Sequence, residues 1–268
     1  MALNGGDPET EAFLKAREGI RSLVLPACTK GRARSLAMRE AKGDILYFLD
    51  DDVLPPPGFP AKVEAAFAAR PEAGVIGGPN LTPEGAPAFE RAQGILLASK
   101  LGSAGMSRRY RDGLSGAADE SSLILCNLGI RRSALGGLSF EDGLASGEEN
   151  LLMWRMARAG IVLRFEPSLA LEHRRRGTLG EFARQVFRSG LGRMQGAWRE
   201  PGSLRAVHVL PSLGLFLFPI WPAYVLLVVL ASFAHREPWL LLLYPSAHAS
   251  YGVGFLWGIL RMRENKIE

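Results

Sequence analysis

The sequence has little cysteine and two long stretches without any charged residue. Only Cys28 and Cys126 occur among 268 residues, and they are far apart in the chain. This excludes a disulfide framework and a zinc site built on cysteines, and it fits a reducing compartment. Aspartate, glutamate, lysine and arginine are all absent from residues 206–234 and 238–260. Because about 20 apolar residues cross a bilayer as a helix, each stretch is long enough for one transmembrane helix.

The flanks of these two apolar runs predict their orientation. Neither run is a signal peptide, because both lie in the C-terminal part of the chain. Arginines precede the first run and basic residues follow the second, whereas the loop at 235–237 is nearly neutral. The positive-inside rule then predicts that both flanks and the large N-terminal domain are cytoplasmic. The alternative is two buried core helices of a soluble domain, although such helices usually keep a polar face. Prolines at 211, 219 and 222 are expected to kink the first run and could make it re-entrant.

The charge of the chain is concentrated in one segment. The net charge is +5, and residues 171–205 contain eight arginines against three acidic residues. A basic segment just before a membrane span is typical of a surface for anionic lipid headgroups or a phosphorylated substrate. We expect no nucleic-acid partner, because the neighbour of this segment is a membrane run.

Short apolar runs alternate with helical patterns through the first two hundred residues. This alternation predicts βαβ units, an α/β fold and a parallel sheet. Strands are predicted at 20–25, 44–49, 74–76, 122–125 and 161–165, and helices at 32–41, 61–69, 89–101 and 147–159. The stretch 102–118 is rich in glycine, serine and arginine, which indicates a mobile loop. Residues 179–198 form an amphipathic pattern with many arginines, which predicts a helix on the membrane surface.

Three carboxylates, Asp50, Asp51 and Asp52, directly follow the apolar run at 45–49. Like charges this close raise one another's pKa, and a hard divalent cation with oxygen ligands removes that penalty. The proline-rich stretch 55–58 ends the strand at its carboxyl end, where open α/β sheets bind their ligands. This segment therefore predicts a metal-dependent site.

A second acidic cluster, Glu148 and Glu149, follows Ser146 and Gly147 at the start of a predicted helix. One interpretation is a capping box between Ser146 and Glu149. The other is a general base that takes a proton from an attacking hydroxyl. His173 also has two interpretations, since a lone histidine is usually structural but could be a further ligand beside a carboxylate metal site.

The order of motifs along the chain is similar to that of a known enzyme family. The motifs are residues 31–34, 41–44, 48–52, 126–132, 147–149, Gln185 to Arg193, and 251–258. Together they resemble a membrane-bound family-2 glycosyltransferase with the glycosyltransferase A fold, of the branch that builds bacterial exopolysaccharides. The resemblance implies an α/β fold with a mainly parallel sheet flanked by helices, followed by C-terminal transmembrane helices.

The resemblance also implies roles for individual residues. Asp50 and Asp52 match the two aspartates that hold Mg²⁺ or Mn²⁺ against the donor diphosphate, and His173 would complete the metal site. Glu149 matches the catalytic base, and Glu148 the acid before it. The implied donor-binding or diphosphate-binding residues are Arg34, Asp51, Arg188 and Arg193. The implied acceptor-side residues are Asn127, Arg131 and Gln185.

The implied protein is an inverting glycosyltransferase of the bacterial inner membrane. Its donor would be a nucleotide sugar linked to UDP or GDP, and its acceptor lipid-linked or a polysaccharide. A partner synthase or export proteins are possible partners. The expected domains are a catalytic domain (1–177), a basic interface helix (178–205), two transmembrane helices (206–260) and a cytoplasmic tail (261–268). The family normally opens with a strand and nucleotide-binding loop before the segment that residues 4–7 resemble, so we expect an N-terminal truncation.

Two other functions fit parts of the sequence. The aspartate motif also resembles the nucleophile motif of haloacid-dehalogenase-type phosphatases. That chemistry needs a downstream lysine, and only Lys100 and Lys266 follow Lys62. The second alternative is an inactive, membrane-anchored remnant that binds a partner synthase.

Overall fold

The computed structural model describes residues 1–17 and 19–264. In this part of the chain, short strands alternate with helices up to His173, and helices alone follow. The strands are β1 (Ala2–Asn4), β2 (Leu23–Leu25), β3 (Ile45–Leu49), β4 (Val53–Leu54), β5 (Ala73–Gly77), β6 (Asn80–Leu81), β7 (Gly116–Ala117), β8 (Asn127–Arg131), β9 (Val162–Phe165) and β10 (Leu171–His173). The helices are α1 (Pro8–Lys15), α2 (Lys30–Glu40), α3 (Phe59–Ala68), α4 (Ala88–Ala98), α5 (Glu148–Arg158), α6 (Leu179–Arg199), α7 (Ala206–Gly214), α8 (Trp221–His235) and α9 (Leu240–Glu264).

The largest sheet has five strands in the order β3-β8-β5-β9-β7. Within it only β5 and β9 pair in parallel, and β3–β8, β5–β8 and β7–β9 are antiparallel pairs. The expectation of a mainly parallel sheet is therefore wrong for this sheet. The cause is β8, which lies between β3 and β5 and runs opposite to both. The apolar run 122–125, predicted as a strand, is a buried turn before β8.

Two smaller sheets complete the α/β part. The strands β1 and β2 pair in parallel. The strand β10 lies between β4 and β6, antiparallel to the first and parallel to the second. This pairing matters for the site, because it sets His173 opposite Val53, next to the aspartate cluster.

The main hydrophobic core lies between the five-stranded sheet and α5. Leu128 and Ile130 of β8 are fully buried against Leu152, Met153 and Met156 of α5. Burying such side chains contributes roughly 1.5–3 kcal/mol each relative to full exposure. The core therefore fixes α5, and with it the acidic residues at its first turn, relative to the sheet.

The C-terminal helices pack together through α6 and α9. Thr178 and Glu181 form a capping box that starts α6, and Phe182 is buried in a second core with residues of α4, α8 and α9. The helix is amphipathic as predicted, and its apolar residues contact protein. Its placement on a membrane surface stays a prediction.

The prediction of two transmembrane helices needs correction. Among the described residues, one helix is long and apolar enough to cross a membrane, Phe218–His235, and only 11% of that span is buried. The first apolar run is interrupted as its prolines predicted, since α7 contains Pro211 and α8 begins anew at Trp221. The second run forms α9, whose apolarity is diluted by proline, serine, histidine and glycine. Residues 265–268, the end of the predicted tail, lie outside the described residues.

The close approach of α6 and α9 depends on glycine. A Cβ atom at Gly190 would lie 2.1 Å from the carbonyl oxygen of Tyr251, which is too close for any contact. We expect Gly190→Ala to lower the free energy of unfolding by about 1–3 kcal/mol, because the two helices must separate. Gly180→Ala in the same helix is the control, since no atom lies within 4 Å of its added Cβ. Equal thermal stability of the two variants would contradict this packing.

Candidate functional site

The aspartate cluster lies at the carboxyl end of β3, as predicted. Asp50 follows the strand directly, and Asp51 and Asp52 form the turn that leads into β4. Asp50 lines a large cavity. Asp52 points to His173, whose Nε2 lies 3.0 Å from the Asp52 Oδ1 atom. Asp51 is exposed and does not line the cavity, so the structure gives it no direct role in the site.

His173 is brought to the aspartates by the pairing of β10 with β4. Burial lowers the pKa of His173, which favours the neutral imidazole with a free lone pair. Its Nδ1 atom is buried and has no hydrogen-bond partner within the described parts of the chain. Buried polar atoms are normally satisfied, so this nitrogen is available to a ligand.

The geometry fits a divalent metal ion. Ligand atoms of Asp50, Cys126 and His173 lie within 4.8 Å of one another. Burial raises the pKa of the Cys126 thiol to about 12, which disfavours the thiolate form that binds metals. Asp52 is the other candidate ligand, because its Oδ1 atom is buried and lies 3.0 Å from His173 Nε2. Two carboxylates with one imidazole suit a divalent ion such as Mn²⁺ or Mg²⁺.

The charges around Asp50 also support a divalent metal ion at this position. Removal from water raises the pKa of Asp50, and repulsion from Asp52 and Glu149 acts in the same direction. Arg34 and His173 oppose this shift. A bound divalent cation would favour the ionised carboxylate and relieve the repulsion between the acidic groups.

The second acidic cluster opens α5, but without a capping box. Gly147 occupies the N-cap with φ of 81° and makes no side-chain cap hydrogen bond, so the predicted box between Ser146 and Glu149 is wrong. The left-handed backbone at Gly147 moves Ser146 out of the capping position. Glu148 is buried and pairs with Arg34, whereas Glu149 is half-buried and lines the cavity. Within the described residues Glu149 makes no hydrogen bond or ion pair, which leaves it free to act as a base.

Arg34 connects the two acidic clusters. It projects from α2, contacts the Glu148 carboxylate, and lies 4.0 Å from the Asp50 Oδ1 atom. A single cation shared by acids from β3 and α5 holds both chain segments together. It also offsets part of the negative charge when no metal is bound.

The cavity between these elements has a volume of about 950 Å³. This is near the upper end of the roughly 300–1,000 Å³ typical of ligand sites. Among the predicted site residues, those that line it are Arg34, Asp50, Glu148, Glu149, His173, Gln185 and Arg193. Acidic groups from the end of β3 and the first turn of α5 thus face one space.

The sequence model of glycosyl transferase family 2 matches residues 3–137, half of the chain. The chain belongs to this family. Its structure is similar to the mannosyltransferase PcManGT from Pyrobaculum calidifontis, solved with GDP-Man and Mn²⁺. That match has a TM-score of 0.63 at 15% identity and covers 97% of this chain and 77% of the other. The fold is therefore the glycosyltransferase A type, with a mixed sheet.

A weaker structural likeness is to S. aureus TarS 1-349 in complex with UDP-GlcNAc. It has a TM-score of 0.47 at 14% identity, covering 97% of this chain and 80% of that one. No curated protein matches the sequence significantly. The family membership leaves the phosphatase interpretation of Asp50 and Asp52 without support.

Besides Asp51 and Asp52, three further predicted site residues of this family-2 chain do not line the cavity. Asn127 is fully buried and donates to the carbonyl oxygens of Pro79 and Leu169, at 3.1 and 2.7 Å. Arg131 donates to the carbonyl oxygens of Ala73 and Phe67 at the far end of β8. Both side chains bond to backbone carbonyl groups, and their acceptor-side role stays a prediction that these contacts do not favour. Arg188 is exposed on α6 and does not line the cavity, so its contact with the diphosphate stays a prediction.

Other residues of the site were missed from the sequence of this family-2 member. Arg175 lines the cavity, donates to the Asn80 carbonyl oxygen at 2.7 Å, and stacks 5.2 Å from the Tyr110 ring centre. Arg109 is buried, also lines the cavity and contacts Asn150 of α5. The run of arginines after His173 was the only signal for Arg175.

The segment predicted as a mobile loop, 102–118, is attached to the site. It contains a short 3₁₀-helix at Ser107–Tyr110 and the strand β7, which pairs with β9. Arg108 donates to the Ala117 and Leu114 carbonyl oxygens and covers the Phe165 ring. These contacts fix the segment to the α/β part of the chain. Its residues Met106, Arg109 and Tyr110 line the cavity, so the segment forms part of the cavity wall.

Proposed function

We propose that this family-2 chain is an inverting, metal-dependent glycosyltransferase. It moves a sugar from a nucleotide-diphosphate donor to a lipid-linked or polysaccharide acceptor at the cytoplasmic face of a membrane. The observation that carries the proposal is the single cavity lined by Asp50, His173 and Glu149. UDP- and GDP-linked donors both fit the proposal, and the Pyrobaculum structure with GDP-Man and Mn²⁺ supports a nucleotide sugar and a divalent ion.

Asp50, Asp52 and His173 would hold the metal ion. When bound, the ion would neutralise charge that develops on the nucleoside diphosphate leaving group. Arg175 lines the same cavity and places further positive charge near the departing phosphates. Its guanidinium group suits phosphate oxygens, because its paired N–H donors match the geometry of the anion.

Glu149 would act as the general base. Its carboxylate takes the proton of the acceptor hydroxyl as the hydroxyl oxygen attacks the anomeric carbon of the sugar. The new carbon–oxygen bond forms as the bond to the donor phosphate breaks, and the nucleoside diphosphate departs with that electron pair. One displacement inverts the anomeric configuration. The ion pair of Glu148 with Arg34 positions the first turn of α5 for this step.

A membrane location is part of the proposal. The apolar face of α8 is largely exposed, with Leu226, Leu230 and Phe233 at 55–86% exposure. An exposed apolar surface of this kind favours lipid contact over water. The arginines before it support a cytoplasmic catalytic domain at residues 1–177 and a basic interface helix at 178–205.

Binding of nucleotide tests this function directly. We expect purified wild-type protein to bind UDP or GDP in a Mn²⁺-dependent manner, measured by calorimetry in detergent. Asp52→Asn should weaken Mn²⁺-dependent binding at least about tenfold, because the metal site loses a charged ligand. Asp51→Asn is the matched control, since this neighbouring aspartate is exposed and, unlike Asp52, makes no ion pair with His173.

The same experiment separates the proposal from its rival. An inactive remnant that binds a partner synthase would bind neither nucleotide, with or without Mn²⁺. Equal loss of binding in Asp51→Asn and Asp52→Asn would contradict the assigned metal site, even if the nucleotide binds.

A further inference from the structure

The cavity extends beyond the acidic clusters into an apolar arm. We define the apolar arm by six residues of the cavity wall, Leu101, Leu210, Leu213, Leu217, Trp221 and Val225. Several of these side chains are largely exposed in the absence of a ligand, with Leu213 at 50% and Val225 at 56%. The site of transfer and an apolar surface of α7 and α8 thus belong to one continuous space.

The composition of this arm selects among possible occupants. The hydroxyl groups of a sugar chain buried there would lose their hydrogen bonds to water and would meet only apolar side chains. This burial costs a few kcal/mol for each hydroxyl group, on the order of magnitude known for unpaired polar groups. A hydrocarbon chain gains free energy from the same surroundings. The arm therefore favours a lipid chain over an extended polysaccharide.

A cation also lines this cavity. Arg193 of α6 is half-buried and is within electrostatic range of Tyr251, Arg109, Glu149 and Glu120. It forms no ion pair with a carboxylate anywhere in the described structure. A half-buried arginine without an acidic partner favours binding of an anionic group.

We infer that the acceptor is a phosphate-bearing lipid whose hydrocarbon chain lies in the apolar arm. Its phosphate contacts Arg193, and its hydroxyl faces Glu149. This inference rests on the proposed function and selects the lipid-linked acceptor over the free polysaccharide.

Photolabelling of the full chain in nanodiscs tests the assignment. The probe is hexadecyl phosphate with a diazirine in the middle of its chain, and labelled peptides are located by mass spectrometry. We expect labelling of α7 and α8 residues that line the arm. Val225→Trp fills the arm and should reduce this labelling at least fivefold. Leu226→Trp is the matched control, because Leu226 is the next residue, is equally exposed at 58%, and lies outside the cavity.

Competition between the probe and unlabelled lipids distinguishes specific binding of a phosphate-bearing acceptor from contact with ordinary bilayer lipid. Unlabelled hexadecyl phosphate should displace the probe at least ten times more effectively than hexadecylphosphocholine, and Arg193→Gln should remove that preference. Equal competition by both compounds, or labelling spread over the outer face of α8 and unchanged by Val225→Trp, would overturn the inference. Leu213→Trp serves as a second arm-filling variant if Val225→Trp is unstable.

Nucleotide binding by the same preparations distinguishes failure of the lipid acceptor from failure of the proposed glycosyltransferase function. Mn²⁺-dependent UDP or GDP binding without specific labelling of the arm would overturn the lipid acceptor and leave the proposed function intact. Labelling of the arm by a protein that binds no nucleotide would overturn both, because the lipid could then not be an acceptor.

Discussion

Replacing Glu149 with glutamine is expected to lower kcat for sugar transfer by about 10²–10⁴-fold. The amide keeps the size of the side chain but cannot accept the proton of the acceptor hydroxyl. Donor binding should stay within about twofold of wild type, because the metal site at Asp50, Asp52 and His173 is unchanged. The measurement is steady-state kinetics with whichever nucleotide sugar the wild-type protein uses, giving kcat and KM separately.

A carboxylate outside the cavity provides the control for this variant. Glu166 accepts hydrogen bonds from Ser115 and Ser168 and does not line the cavity. Glu166→Gln should therefore keep wild-type kcat. A Glu149→Gln protein with kcat within threefold of wild type would show that another group takes the proton.

Loss of the Arg34 cation is expected to destabilise the whole α/β domain. The Glu148 side chain is only 4% exposed, and Arg34 is its one ion-pair partner in the described structure. Arg34→Met leaves this carboxylate buried without compensation, which costs about 3–5 kcal/mol. We expect a corresponding fall in the free energy of unfolding, measured with denaturant in detergent.

Two further variants make this prediction specific. The double variant Arg34→Met with Glu148→Leu removes both charges and should regain most of the lost stability, as a double-mutant cycle would quantify. Arg21→Met breaks the exposed pair with Glu40 and should change stability by no more than about 1 kcal/mol. Equal effects of Arg34→Met and Arg21→Met would contradict a buried, structurally required pair.

The acidic clusters are the part of the site that sequence reasoning located best. Asp50 and Asp52 follow a strand with a clear apolar run, and Glu149 follows a glycine at a helix start. These signals are local, and both clusters were placed at the correct ends of their elements. Whether they carry the assigned roles stays a prediction until the variants are measured.

Features that depend on contacts between distant segments could not be predicted in the same way. The pairing of β10 with β4, which sets His173 beside Asp52, leaves no local trace in either segment. The antiparallel course of β8 is equally hidden, since the apolar run before it was more strand-like than β8 itself. Asn127 and Arg131 were assigned to the acceptor side from the family resemblance, and the structure shows them bonded to backbone carbonyl groups.

The C-terminal region shows the limit of hydropathy alone. Two charge-free runs predicted two spans, but the second forms α9, which uses Gly254 and Gly258 for close packing against α6. The surplus of small and polar residues serves helix packing, so the hydropathy of α9 falls below that of α8. The apolar arm also arises from tertiary packing and could not be foreseen from either run.

The most direct test of the central claim is a structure of the protein with Mn²⁺ and its bound nucleotide sugar. We predict that Mn²⁺ contacts Asp50 and Asp52 and the donor diphosphate, with the anomeric carbon of the sugar facing Glu149 across the cavity. A nucleotide bound elsewhere, or a sugar held with Glu149 remote from its anomeric carbon, would contradict the account.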